Sequence, residues 1–165
     1  MIATNMFMLF FLVLFTQTTA EEITSNPCLE GWIQATWVDL GCLLFNTIKE
    51  YHWEEAANYC QTENPNSTLV DFQNPEQLEF LQMELEAIED HAGTTHWWTS
   101  GTDMAREGEW YWESDLTPVP EFVWFSGQPD DGIGYNCLML HTSYDYLGGD
   151  FDCGFGAYPI CQMEV

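Results

Sequence analysis

Oxygen-bearing side chains are concentrated in the stretch 128–153. Gln128, Asp130 and Asp131 stand around a proline near its start, and Asp150 stands close to a cysteine near its end. Amide and carboxylate oxygens are the ligands that Ca²⁺ prefers, and the ion takes about six to eight of them. The stretch therefore predicts a cation site, on condition that the fold brings its two ends together.

Catalytic chemistry has no comparable pattern in this sequence. The four histidines, His52, His91, His96 and His141, are scattered and lack the spacing of zinc ligands, and no Cys-x-x-Cys pair is present. The Gly-x-Ser-x-Gly motif of many serine hydrolases is also absent. Because no set of nucleophile, base and orienting group can be assembled, we predict that the protein is not an enzyme.

The beginning of the chain has the pattern of a secretory signal peptide. An uninterrupted apolar run over 6–15 is followed by small residues, with Ala20 at the expected cleavage position. The run is shorter than the roughly 20 apolar residues that a transmembrane helix needs. We therefore predict a signal peptide over 1–20, a lead-in over 21–27 and a secreted mature chain without a membrane span.

Acidic residues far outnumber basic ones. Lys49 and Arg106 stand against 27 Asp and Glu, which gives a formal net charge of -25. Nucleic acids and anionic membranes are poor partners for such a chain, because binding them needs Lys and Arg to neutralise phosphates. Cations and basic proteins fit the charge better. Much of the acidity needs no partner, since a large net charge keeps a protein dispersed in solution.

Two predicted helices lie in the first half of the chain. Trp53 and Cys60 bracket an apolar repeat at helical spacing, which predicts one amphipathic helix. Asn74 is a good N-cap for a second helix, Gln77 can close a capping box with it, and Gly93 marks the end. The predicted buried stripe of the second helix consists of Leu78, Leu81, Leu85 and Ile88.

Strand patterns surround and follow these helices. Two apolar and aromatic segments around a turn predict a β-hairpin over 28–45, and a long loop rich in Pro, Gly, Asp and Ser covers 114–136. The other predicted strands are 68–72, 97–99, 109–112, 137–141 and 158–162. We assign Trp98, Trp110 and Trp112 to the core. Helices early and strands late predict an α+β fold.

All six cysteines follow the predicted signal peptide. In a small exported chain they indicate disulfides rather than redox chemistry or a zinc site. Six cysteines can pair in many ways, so the pairing does not follow from their number.

Taken in order, these motifs resemble the C-type lectin-like domain in its secreted, single-domain arthropod form. The resemblance spans 28–162. Its motifs are WEEAANYC at 53–60, EFL at 79–81, WWTSGTD at 97–103, EGEWYW at 107–112 and GQPD at 127–130, followed by Cys137, Asp150, Cys153 and Cys161. It implies two helices flanking small antiparallel sheets, a long irregular loop region and three disulfides. The implied pairs are Cys28 with Cys42, Cys60 with Cys161, and Cys137 with Cys153.

In sugar-binding members of this family, the Gln-Pro-Asp positions and a later Asn-Asp pair hold Ca²⁺ and hydrogen-bond two sugar hydroxyls. The resemblance implies these roles for Gln128, Asp130 and Asp150, and the Gln-Pro-Asp order goes with galactose-type selectivity. A cis peptide bond before Pro129 would turn both neighbouring side chains to the same side.

Two positions depart from the family's ligand pattern. Tyr135 stands where the family has a glutamate ligand, and Gly149 stands where it has the asparagine. Asp131, Asn136 or Asp152 can substitute only through a shift of the loop. We therefore expect Ca²⁺ to bind weakly or not at all.

The function predicted from the sequence is a secreted module that binds a carbohydrate or glycoprotein ligand. Tyr135 and Tyr144, with Tyr146, are candidates for an aromatic platform under a sugar, although such side chains more often pack. Asn66 opens an Asn-Ser-Thr glycosylation sequon on a predicted surface turn. The alternative is a calcium-independent domain of the same fold that binds a basic protein through its acidic surface.

Overall fold

A computed structural model describes residues 26–93, 95–130 and 132–165 of the chain. The predicted signal peptide over 1–20 lies outside the described residues, as do most of the lead-in and the candidate ligand Asp131. Within the described part, no helix is both long enough and apolar enough to cross a membrane.

Two α-helices, α1 (Trp53–Glu63) and α2 (Pro75–Ala92), form where the sequence predicts them. Asn74 caps α2, because its Oδ1 atom accepts a hydrogen bond of 3.0 Å from the backbone N–H of Gln77. The predicted capping box does not form, since Gln77 Oε1 accepts a hydrogen bond of 2.6 Å from the N–H of Gln73 instead. As predicted, α2 ends at a glycine in the left-handed conformation.

The helices bury their apolar faces in two clusters. On α2, Leu78, Leu81 and Leu85 are buried as predicted, Phe80 joins them, and Ile88 is only half-buried. This face belongs to one apolar cluster, and α1 packs into the other. The residues that α1 buries are Trp53, Ala56 and Cys60.

The described residues form eight strands, which are connected in one sheet. They are β1 (Ile33–Gln34), β2 (Cys42–Phe45), β3 (Ser67–Leu69), β4 (His96–Thr102), β5 (Tyr111–Trp112), β6 (Cys137–His141), β7 (Leu147–Phe151) and β8 (Tyr158–Met163). Their order is β1-β2-β8-β4-β6-β7, with β3 on β8 and β5 on β4. The named strands pair antiparallel except β4 with β8, where Trp97 stands opposite Tyr158 in a parallel pair. The predicted α+β fold with two helices is confirmed.

Strand β7 was not predicted from the sequence. Its interior holds Gly148 and Gly149, and glycine weakens a strand because it supplies no side chain to pack. Glycine is suited to these two positions because neighbouring side chains approach the backbone closely. A Cβ atom on Gly148 would lie 3.1 Å from Val123 Cγ1.

Three disulfides connect these elements, and they are the pairs that the resemblance implies. Cys60–Cys161 joins α1 to β8 over a sequence separation of 101, and Cys137–Cys153 joins β6 to the turn after β7 over a separation of 16. The third, Cys28–Cys42, closes the hairpin of β1 and β2.

The assignment of three tryptophans to the core is only partly right. Trp98 and Trp112 are fully buried. Trp110 packs against the core on one side but remains half-buried, because it precedes the two-residue strand β5 and lies at the margin of the sheet.

Candidate functional site

The fold brings together Gln128, Asp130 and Asp150, which we call the Gln128 cluster. Gln128 Oε1 accepts a hydrogen bond of 3.0 Å from the N–H of Asp150, and Gln128 Nε2 donates one of 2.6 Å to Asp130 Oδ1. Asp130 N–H in turn donates to Asp150 Oδ1 over 3.1 Å. The Gln128–Pro129 peptide bond is cis. Residues from the two ends of 128–153 thus form one hydrogen-bonded unit.

The Gln128 cluster contains two aspartates, which are linked through the backbone N–H of Asp130. Asp150 is buried at 3% exposure, whereas Asp130 is exposed. The two basic side chains of the protein are engaged elsewhere: Arg106 pairs with an exposed glutamate at 2.8 Å, and Lys49 lies 4.5 Å from the centre of a tyrosine ring. Neighbouring carboxylates repel each other, and a bound cation relieves that repulsion.

The other half of the implied site is blocked at Gly149. A Cβ atom there would lie 2.7 Å from Tyr144 Cε2 and 3.1 Å from Gln128 Oε1, so the position admits no side chain without movement. Tyr144 is held by stacking on Phe125, with ring centroids 4.6 Å apart at 12°. Tyr144 therefore fills the space that an asparagine at position 149 would need.

The three candidate platform tyrosines differ in exposure. Tyr135 is 41% exposed, and Tyr144 is half-buried in its stack. Tyr146 is buried, and its hydroxyl donates a hydrogen bond of 2.6 Å to Glu89 Oε2. Burial and this hydrogen bond raise the pKa of Tyr146 above its ordinary value. Tyr146 is therefore a core residue, and the prediction of a platform role for it is wrong.

Two of the candidate substitute ligands, Asn136 and Asp152, make hydrogen bonds to residues outside the Gln128 cluster. Asp131 lies outside the described residues. Asp152 Oδ1 accepts a hydrogen bond of 2.8 Å from the N–H of Gly154 and so closes its own turn. The carbonyl oxygen of Asn136 accepts a hydrogen bond of 2.7 Å from the Thr102 hydroxyl. Among the described residues, no group of three or more His, Cys, Asp or Glu side chains is placed to hold a metal.

One buried carboxylate was not singled out from the sequence. Asp103 follows β4 and is 2% exposed. Its Oδ2 atom accepts a hydrogen bond of 2.7 Å from the N–H of Gly108, while Oδ1 is buried without a hydrogen-bond partner in the described part of the chain. Its N–H donates to the carbonyl oxygen of Asn136 over 3.3 Å, which places Asp103 beside the loop. The only sequence signal for it is its position at the end of the WWTSGTD motif.

Two of the scattered histidines meet beside the site. The rings of His96 and His141 stack with centroids 6.0 Å apart, and His96 Nε2 lies 3.2 Å from Glu50 Oε1. His141 also lies 5.9 Å from the Tyr144 ring. Burial, and secondarily the charge of His96, lower the pKa of His141 below its usual value.

The asparagine of the glycosylation sequon lies on the surface, as predicted for that turn. Asn66 is exposed in the turn before β3. The next residue, Ser67, is buried, and its hydroxyl donates a hydrogen bond to the carbonyl oxygen of Cys60 at 2.5 Å. Occupancy of Asn66 stays a prediction.

Comparison with known proteins places the chain in a family. A family model described as "Lectin C-type domain" matches residues 49–163. The C-type lectin mosGCTL-7 of Aedes aegypti is 26% identical over 116 residues, which is 67% of this chain and 76% of that protein. The carbohydrate-recognition domain of the mouse scavenger receptor C-type lectin superposes with a TM-score of 0.69 at 28% identity, covering 83% of this chain and 96% of that one.

A second similar structure was determined with an oligosaccharide present. The carbohydrate-recognition domain of cow CD23, crystallised in the presence of a GlcNAc2Man3 oligosaccharide, superposes with a TM-score of 0.67 at 28% identity, covering 85% of this chain and 98% of that one. The family match, these similarities and the two-helix, three-disulfide fold agree. The chain belongs to the C-type lectin domain family, a family of carbohydrate-binding domains.

Proposed function

We propose that this protein is a secreted lectin that binds its sugar at the Gln128 cluster. The observation that supports this most directly is the hydrogen-bonded arrangement of Gln128, Asp130 and Asp150, which gathers one amide and two carboxylates in one place. Sugar hydroxyls donate and accept hydrogen bonds. Well-placed amide and carboxylate groups of a protein can therefore select a sugar by the orientation of its hydroxyls. The two solved relatives, both carbohydrate-recognition domains, support a sugar-binding role by similarity of fold.

The sugar that we propose is of the galactose type. The support is the Gln-Pro-Asp order at 128–130, which the family uses for galactose. Tyr135 is the exposed aromatic ring of this loop, and we propose that it contacts the apolar face of the sugar.

Calcium takes part in this binding only weakly. Gln128 Oε1 and the carboxylates of Asp130 and Asp150 fit the chemistry of Ca²⁺, but they are fewer than the about six to eight oxygens that the ion takes. We propose a dissociation constant of about 10⁻⁴ to 10⁻³ M, the range of weak extracellular calcium modules. When bound, Ca²⁺ would coordinate two sugar hydroxyls, and these residues would hold it and orient the sugar. We propose Asp131 as an additional ligand.

Calorimetric titration of the purified protein tests this function. We expect heat on adding galactose with millimolar Ca²⁺, less heat with chelator, and less with mannose than with galactose. Asp130→Asn should abolish the galactose signal. Glu54→Gln, the same loss of charge on the exposed face of α1, should leave it unchanged. Absence of heat with both sugars under all conditions contradicts the lectin function.

Thermal stability tests the calcium site separately. Ca²⁺ at about 100 times its dissociation constant should add about 2.7 kcal/mol to the free energy of unfolding by mass action. Asp130→Ala should remove this shift. An identical melting temperature with saturating Ca²⁺ and with chelator contradicts the site.

A second candidate function is the calcium-independent binding of a basic protein through the acidic surface. The observation that favours it is the lack of internal neutralisation. Of the two basic side chains, Arg106 pairs with one glutamate and Lys49 lies over Tyr51, while the chain has 27 acidic residues. Binding to a basic protein should weaken steeply with salt, since exposed charges are screened within about 8 Å at physiological ionic strength. Binding that persists unchanged in high salt contradicts this function.

Secretion and glycosylation complete the proposal. We propose cleavage of a signal peptide after Ala20 and a glycan on Asn66. Mass spectrometry of protein recovered from the medium of expressing cells tests both, because the mature mass fixes the first residue and enzymatic deglycosylation reveals the glycan.

A further inference from the structure

A groove of about 810 Å³ opens next to the Gln128 cluster. Trp110 and Trp124 form its aromatic side, with ring centroids 4.8 Å apart at 74°. Leu116 contributes an apolar wall, and Gln128 and Pro129 form part of the lining. The groove is within the range of volumes that ligand pockets occupy, about 300 to 1,000 Å³. The proposed sugar site shares with this groove only the end that Gln128 lines.

The charged groups that line the groove are acidic. Glu109 and Glu121 both line it and are exposed, and no Lys or Arg is among the lining residues. Arg106, just outside the lining, holds Glu109 Oε1 at 2.8 Å, and both side chains of that pair are exposed. The groove thus combines aromatic rings with carboxylates, a combination that attracts cations.

The apolar wall stands away from the core. Leu116 is 72% exposed and adopts a left-handed backbone conformation, with φ of 64°. Non-glycine residues seldom adopt this conformation, and a large exposed apolar side chain in it has no role in packing. Leu116 therefore offers apolar surface to a ligand in the groove.

We propose that this groove binds a protein segment in which Lys or Arg alternates with apolar side chains. In such a segment the cations face Glu109 and Glu121 and the tryptophan rings, and the apolar side chains contact Leu116. The inference rests on the second proposed function and gives it a location. An anionic ligand would be repelled by the two carboxylates, whereas a cationic one is attracted by both.

Arg106 acts in this arrangement as an internal competitor. Its guanidinium already occupies the Glu109 carboxylate, so an incoming cation has to displace it. Removing Arg106 should therefore strengthen binding of a cationic segment. This increase in affinity distinguishes the proposal from a role in which Arg106 itself contacts the ligand, because loss of such a contact would weaken binding.

Fluorescence anisotropy with a labelled, capped peptide that alternates arginine with leucine tests the groove at low salt. Glu109→Gln and Glu121→Gln should each weaken binding by about two- to fivefold, the range of exposed ion pairs. Arg106→Gln should tighten binding by about twofold. Leu116→Asn should also weaken it, and this change keeps the fold because Asn tolerates the left-handed conformation.

Matched controls separate the groove from general charge attraction. Glu54→Gln with Glu63→Gln removes two exposed acids from α1, which does not line the groove. This double variant should change affinity less than the groove double variant, Glu109→Gln with Glu121→Gln. If the two double variants lose affinity equally, the groove proposal is contradicted, while the acidic-surface function stays in place. Failure of the peptide to bind at low salt overturns both. Displacement of the bound peptide by galactose oligosaccharides makes the groove a sugar subsite and overturns the proposal.

Discussion

The scaffold of α1, α2, β2 and β8 and the loop over 113–136 are held in place by different means. The scaffold buries aliphatic and aromatic side chains, and a disulfide ties α1 to β8. The loop holds the highly exposed Ile133 and three glycines with positive φ, and its described residues include only a short 3₁₀ turn, Glu121–Val123, and isolated bridges at Pro118 and Trp124. We expect from this difference that exposed residues of the loop can change without unfolding the domain.

Removal of the scaffold disulfide should produce the largest effect. Cys60→Ser with Cys161→Ser opens a loop with a sequence separation of 101, for which the chain-entropy estimate is about 4.7 kcal/mol. Cys137→Ser with Cys153→Ser opens one with a separation of 16 at the candidate site, worth about 3 kcal/mol. Urea unfolding measures both. A larger loss from the second pair would reverse the contrast between scaffold and loop.

Truncation of an apolar side chain should also destabilise the protein far more in the scaffold than in the loop. Leu81 is fully buried, so Leu81→Ala should lower the free energy of unfolding by about 2 to 5 kcal/mol through lost contacts and a cavity. Ile133 is 90% exposed, so Ile133→Ala should change it by no more than about 0.5 kcal/mol. Chemical denaturation of the two variants under one set of conditions checks this. A comparable loss from Ile133→Ala would show that the loop tip packs in solution.

Restoring the missing ligand should carry a steric cost that a second change relieves. Gly149→Asn should destabilise the protein by about 1 to 3 kcal/mol, because its Cβ would collide with the Tyr144 ring. Adding Tyr144→Ser should recover part of this loss, and the double variant should bind Ca²⁺ more tightly than the parent does. Calorimetric Ca²⁺ titration and urea unfolding measure the two effects.

The control for that pair is Gly154→Asn, at an exposed turn residue on the far side of the disulfide cysteine. It should have little effect on Ca²⁺ affinity. Full additivity of Gly149→Asn and Tyr144→Ser would contradict the steric account, since residues in contact are expected to couple.

The smallest expected effect is a pH dependence that comes from His141. Burial, followed by the charge of His96, lowers its pKa in the folded state below the unfolded value of 6.5, while Glu89 opposes the shift. As pH falls below about 6.5, the unfolded chain takes up the proton first, so stability decreases until the folded pKa is reached and then levels off. Stability above the unfolded pKa is unaffected by this group.

Melting temperatures at pH 7.5 and pH 5.5 test this dependence. On acidification, the melting temperature of the parent should fall more than that of His141→Gln, because the variant cannot take up the proton. His52→Gln, at an exposed histidine, serves as the control and should behave like the parent. An equal loss in the parent and in His141→Gln would assign the pH dependence to other groups.

The sequence predicts the scaffold well because its signals are local. The cap at Asn74, the leucine stripe and the final glycine of α2 are all within one helix, and each appears where expected. The capping box failed because Gln77 has a choice of nearby N–H groups, and it bonds to Gln73. Periodicity cannot resolve such a choice.

The candidate site was predictable only in part because it depends on distant contacts. The meeting of Gln128 with Asp150 follows from the disulfide pattern that the resemblance implies, not from spacing. The position of Tyr144 over Gly149 depends on Phe125, which lies in another loop. Strand β7 was missed for the same reason, since its glycines fit a crowded environment that the sequence does not display.

The place of β8 in the sheet determines when this domain can finish folding during its synthesis. β8 is the last strand in chain order, yet it pairs with β2, β3 and β4. A ribosome adds roughly 5 to 20 residues per second, so several seconds pass between the emergence of β2 and that of β8. From its own emergence until that of β8, each of the strands β2, β3 and β4 lacks β8 as a partner, and the thiol of Cys60 lacks Cys161. The yield of native protein in an expressing cell should therefore depend on how well chaperones and disulfide isomerases protect the nascent chain.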